Sequence, residues 1–105
     1  MISEADVQRV VDLIVALYRP DRILVFGSYA KGLLHEGSDL DLLVVKPWKL
    51  PAFRRGRDLE AMLAMQAISV DVLFYTPEEM EVELADPLSM LSAILPSAKT
   101  LYPQP

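Results

Sequence analysis

The chain contains no cysteine. That excludes disulfides, thiolate metal sites and cysteine nucleophiles together, and it suits a reducing cytosol. Histidine is almost missing too: His35 stands alone, in a polar turn-like stretch beside Glu36, and reads as solvated rather than catalytic. No apolar run approaches the ~20 residues needed to cross a bilayer. Glu4 and Asp6 occupy the start of the chain, where a signal peptide carries positive charge. The expectation is a cytoplasmic protein away from membranes. Positive charge is also scarce, with 10 Lys+Arg against 15 Asp+Glu and a net charge of −5. Proteins that grip long nucleic acid by its phosphates present a basic face, so such binding is not expected. The one dense basic cluster is Arg54, Arg55 and Arg57, with Lys46 and Lys49 before it. It reads as a solvated loop and helix start, with a phosphate- or partner-binding patch as the alternative.

What is present is apolar. Of 105 residues, 52% are hydrophobic, enough for a real core in a single domain over residues 1–105. A domain of this size buries only about 60–68% of its unfolded surface. An enzyme built on it is stripped down and open to help from a partner. Ser3 caps a first helix, along which Val7, Val10, Val11, Ile14 and Tyr18 recur at helical spacing. Pro20 and Asp21 end it. Arg22 to Gly27 is a buried strand, and Ser28 to Leu33 is a short helix. Asp39 to Val45 and Ser69 to Tyr75 are further strands, separated by a proline-bracketed loop holding Trp48 and a helix from about Ala52 to Ala67. Thr76-Pro77-Glu78-Glu79 opens another helix. Asp86-Pro87 repeats that signal for a last helix to Leu95, and residues 97–102 add an edge strand. This order predicts a small α/β or α+β domain, a sheet packed against helices. Strand directions do not follow from it.

One segment carries chemistry: Gly27-Ser28-Tyr29-Ala30-Lys31-Gly32, then Ser38-Asp39-Leu40-Asp41-Leu42. On a strand, alternate side chains share a face, so Asp39 and Asp41 point the same way. Two carboxylates on a largely buried strand repel each other and resist desolvation. Cations relieve both costs, and magnesium favours carboxylate oxygens together with substrate phosphates. Asp71, within the apolar run Val70 to Phe74, completes a three-carboxylate cluster if its strand is adjacent. Gly27 ends a strand where a helix begins, which aims free N–H groups at an anion. The Ser28 hydroxyl and the Lys31 ammonium add a donor and a charge. Plainer readings stand beside these. Gly27-Ser28 also fits an ordinary helix cap, Asp39 and Asp41 a solvated turn, Asp71 an edge-strand charge and Lys31 open surface.

Gly-Ser, ten residues, then Asp-x-Asp is a pattern that chance supplies in on the order of one chain per thousand. With Asp71 some thirty residues on, the chain resembles the polymerase-β-like nucleotidyltransferases over roughly residues 1 to 102. Its shortness makes it similar to the minimal nucleotidyltransferases, or MNT proteins, often paired with HEPN-domain ribonuclease toxins. The resemblance implies a small mixed sheet against helices. It also implies an antitoxin, in a hetero-oligomer, that moves AMP from ATP onto a toxin tyrosine with two magnesium ions. Gly27, Ser28 and Lys31 would then bind the nucleotide, and Asp39, Asp41 and Asp71 would be the catalytic metal-binding acids. Many relatives carry arginine where Lys31 stands, and lysine lacks arginine's bidentate fork. Two other functions remain open. One is neutralisation of a partner by contact alone, through an apolar C-terminal surface of Leu88, Leu91, Ile94 and Leu95. The other is nucleotidyl transfer to a small molecule or RNA.

Overall fold

Local chemistry sets the first helix. The Ser3 hydroxyl accepts from Asp6 N–H (3.1 Å) and the Asp6 carboxylate accepts from Ser3 N–H (2.9 Å), a capping box that starts α1 (Glu4–Tyr18). Arg19, left-handed at φ 46°, ends it one residue before Pro20. In the computed structural model, which describes residues 1–33 and 37–104, the chain continues as β1 (Arg22–Phe26), α2 (Gly27–Lys31) and β2 (Leu40–Val45). Then follow α3 (Arg57–Leu63), β3 (Val70–Tyr75), α4 (Pro77–Leu84), α5 (Met90–Ile94) and β4 (Lys99–Tyr102). His35 and Glu36, with the turn expected around them, lie outside the described residues.

The strands form one mixed sheet in the order β3-β2-β1-β4. β1 runs antiparallel to β2 and to β4, and β2 runs parallel to β3. One face turns Ile23, Val25, Leu42 and Val44 toward Val10 and Ile14 of α1 and Leu59 of α3. The opposite face turns Leu24, Leu43 and Val45 toward Met80 of α4 and Leu91 of α5. The aliphatic row on the second face ends at one edge of the sheet, where Asp41 and Asp71 replace the aliphatic residues.

Two elements depart from the sequence reading. Residues 52–67 are not one helix. A 3-10 turn (Ala52–Arg54) is broken from α3 by Gly56 at φ 78°, a backbone state that ends helical hydrogen bonding. A Cβ on Gly56 would overlap the Phe74 ring. The break exists to seat Arg55, which is buried rather than solvated. Its guanidinium donates to Leu50 O (2.8 Å), Phe74 O (3.1 Å) and, in bidentate fashion, the Glu79 carboxylate (2.7 and 3.2 Å). The last helix begins at Met90 with Ser89 as cap, not at Asp86-Pro87. Asp86 instead closes a turn by accepting from Leu88 N–H (2.9 Å). Leu91 of α5 is fully buried, and Ile94 and Leu95 pack against the same cluster. Of the expected apolar C-terminal surface only Leu88 therefore stands exposed. Trp48 packs at the margin of the core, edge-on to Tyr18 (5.2 Å) and Phe74 (5.4 Å).

Candidate active site

The antiparallel β1–β2 pair places Phe26 opposite Asp41, and the parallel β2–β3 pair places Asp41 opposite Asp71. Directly paired residues on neighbouring strands share a face. Asp41 and Asp71 therefore stand side by side at one end of the sheet. They continue the row that holds Leu43 and Leu73 one step further in. Gly27 follows Phe26 at that same end, so the glycine and both acids meet through strand register although they are far apart in sequence.

Gly27 takes φ 71°, and a Cβ there would come within 3.3 Å of Asp41 Cγ and closer still to Oδ2. Only glycine lets the backbone pass the carboxylate at this point. α2 begins with no side-chain cap at its N-terminus. The half-buried Ser28 stands in its first turn, and its carbonyl accepts from Leu33 N–H (2.9 Å) as the helix ends. Lys31, exposed, sits one helical turn after Gly27 and so on the same side of α2.

Asp39 is displaced from its expected setting. β2 starts at Leu40, whose N–H donates to Ser69 O (2.9 Å), and Asp39 lies exposed just before it. Its charge still reaches the site. Burial first, then the charges of Asp71 and Asp39, push the Asp41 carboxyl above its ordinary value. Neither ion pair among the described residues involves these acids: Arg9 holds Asp6, and Arg55 holds Glu79. Also among the described residues, no three acidic or histidine side chains are gathered closely enough to enclose a metal ion. The donor set nevertheless suits a hard divalent cation. It is all oxygen, carries like charges without a basic partner, and lies against a glycine that keeps the approach to Asp41 free of any side chain.

The fold and site define a small α/β protein with an acidic, glycine-flanked centre at one end of a mixed sheet. Residues 7–90 match the family model described as the nucleotidyltransferase domain. The chain belongs to the nucleotidyltransferase domain family, whose chemistry uses a nucleoside triphosphate and a divalent metal. No curated protein matches it. A crystal structure of a Sulfolobus solfataricus protein provisionally described as a nucleotidyltransferase shares the fold. The TM-score is 0.58 at 20% identity, over 74% of this chain and 70% of that one.

Sequence reasoning missed two features, the burial of Arg55 toward the far end of β3 and the close approach of Gly27 to Asp41 at the site. Arg55 was grouped with its neighbours as surface charge, and nothing in the string separates it from Arg54 and Arg57. The close approach of Gly27 to Asp41 needs the β1–β2 register, which no local pattern encodes.

Proposed function

We propose that this domain transfers AMP from ATP to a protein hydroxyl, a tyrosine of a HEPN-type toxin, and so acts as an antitoxin. The observation that carries the reading is the register pair Asp41–Asp71 beside Gly27 at one end of the sheet. The Gly27-Ser28 and Asp39-x-Asp41 pattern supports nucleotidyl transfer, and the resemblance to the MNT proteins is what suggests the acceptor class.

Gly27 and Ser28 hold the triphosphate: the glycine backbone lets an oxyanion close to the main chain, and the serine hydroxyl donates to it. Lys31 balances its charge from the same side of α2. Asp39, Asp41 and Asp71 would hold the divalent cations, which when bound would supply charge neutralisation at the phosphates. Asp71, the most exposed end of the pair, accepts the proton of the acceptor hydroxyl. The hydroxyl oxygen forms a bond to the α-phosphorus. The bond from that phosphorus to the bridging oxygen breaks, and pyrophosphate leaves.

The test is incubation of the purified chain with labelled ATP, magnesium and a HEPN toxin encoded beside it. Label on a toxin tyrosine, lost in Asp41→Asn, is the expected result. An unlabelled toxin, with label transferred by a related control enzyme, overturns the reading. Label on RNA or on a small molecule would move the acceptor class.

A further inference from the structure

β3 is an outer strand of the sheet, and its free edge runs straight to the candidate catalytic acid. Leu40 N–H donates to Ser69 O (2.9 Å) and Lys46 N–H to Tyr75 O (3.1 Å). In a parallel ladder this alternation turns the odd-numbered residues of β3 toward β2. Val70, Val72 and Phe74 therefore present their N–H and C=O groups outward. The Phe74 carbonyl is capped by Arg55, which closes the Tyr75 end of the edge. Toward Asp71 the edge stays open over Val72 and Val70.

Two depressions follow this edge and share Val72 and Phe74. One, of about 830 Å³, lies between the strand and α4 and is walled by Leu73, Tyr75 and Val82. The other, of about 210 Å³, lies beneath α3 and reaches Asp71. Their linings hold Glu60, Asp71, Glu78, Glu79 and Glu83 but no lysine or arginine. Glu79 is engaged by Arg55, and Glu83 by the Tyr75 hydroxyl (2.7 Å) and Leu91 N–H (2.9 Å). Glu78 and Glu60 stand exposed along the track, as does Val82. Unpaired backbone, apolar walls and an acidic rim together specify an extended polypeptide with alternating apolar and basic side chains.

We infer that the outer edge of β3 is the docking track for the acceptor: an extended basic and apolar segment adds as a further strand, with its hydroxyl residue at the Asp71 end. Strand rise of ~3.3 Å per residue makes the track from Tyr75 to Asp71 about 13 Å long, room for a short segment before the reacting side chain. This inference rests on the proposed transfer to a protein hydroxyl.

Two measurements separate the docking surface from the chemistry. The isotope-labelled full chain is titrated, without nucleotide, with a short capped peptide that alternates valine with arginine around one central tyrosine. Saturable amide shifts centred on Val70, Val72 and α4 are expected. The same peptide with glutamate for arginine should bind roughly tenfold more weakly, as should the Glu78→Lys/Val82→Lys variant toward the arginine peptide. Both substituted positions are exposed, and the lysine in the first turn of α4 should lower the thermal midpoint by only a few degrees, leaving the chain folded. With labelled ATP and magnesium, that variant should raise the KM for the peptide and leave kcat in place.

Shifts on another surface, no saturable binding, or equal affinity for the glutamate peptide would overturn the track. Labelling of the peptide that the double variant does not weaken also overturns it, while leaving nucleotidyl transfer intact. Binding at β3 without label on any protein hydroxyl overturns the acceptor reading and leaves a peptide-binding edge.

Discussion

At Gly27 the backbone holds φ 71° and any side chain would run into the Asp41 carboxylate. Gly27→Ala should therefore cost roughly 1–2 kcal/mol from the left-handed backbone. By displacing Asp41, it should lower transfer by roughly a hundredfold. Thermal unfolding and a labelled-ATP assay read the two effects separately. Asp41 carries the opposite balance. Burial and two neighbouring carboxylates hold its charged form in an unfavourable setting. Asp41→Asn removes that conflict while keeping the shape. In metal-free buffer at neutral pH the variant should melt at a higher temperature than the parent. Its activity should fall by roughly a thousandfold or more. A lower melting temperature would mean that Asp41 is held by favourable contacts, contrary to the like-charge arrangement. Asp39, Asp41 and Gly27 were legible as a group because their spacing is local. The pairing of Asp41 with Asp71 was conditional on strand adjacency, and the parallel β2–β3 register supplies it.

Among the elements, the join between the 3-10 turn and α3 departs most from the periodicity of the sequence. Residues 52–67 read as one amphipathic helix because helical spacing does not register a single left-handed glycine. Gly56→Ala should cost about 2–4 kcal/mol, since the Cβ meets both an unfavourable φ and the Phe74 ring. Denaturant unfolding measures it. The neighbouring Arg55–Glu79 pair ties this join to the start of α4. Arg55, then the Thr76 N–H, hold the Glu79 carboxyl below its ordinary value. A lowered folded-state value means the pair stabilises the fold above the unfolded glutamate value, near ~4.3. That contribution is lost as pH falls through the lower folded value. Glu79→Gln keeps the capping geometry and removes the charge. It should cost about 1–2 kcal/mol at neutral pH, discounted for the exposure of Glu79. The gap to the parent should close as the buffer is taken below pH ~4, followed by thermal melts across the range. The starts of α1 and α4 were legible to within a residue because their caps are local: Ser3 with Asp6, and Thr76 with Glu79.

For the whole molecule, the two faces of the sheet do different work. One is sealed by α1 and α3, and the other by α4 and α5, with the acids at the uncovered end of the second. Among the described residues no helix is long and apolar enough to cross a membrane. Ligand binding at the acidic end should stabilise the entire fold, because the site exists only when β1, β2 and β3 are in register. Magnesium with ATP at a hundredfold excess over Kd should add about 2.7 kcal/mol, raising Tm by roughly 10–20 °C. Asp41→Asn should show little of that rise. An equal rise in parent and variant would place nucleotide binding elsewhere.

The amino-acid string by itself determined the helix caps, the apolar strand runs, the family motif and the excess of acidic over basic residues. Each depends on residues within a few positions of one another. Tertiary structure alone decided the strand directions, the pairing of Asp41 with Asp71, the burial of Arg55 and the open edge of β3. Those depend on which strand lies beside which, a choice made by the collective burial of both sheet faces and recorded in no single stretch of sequence.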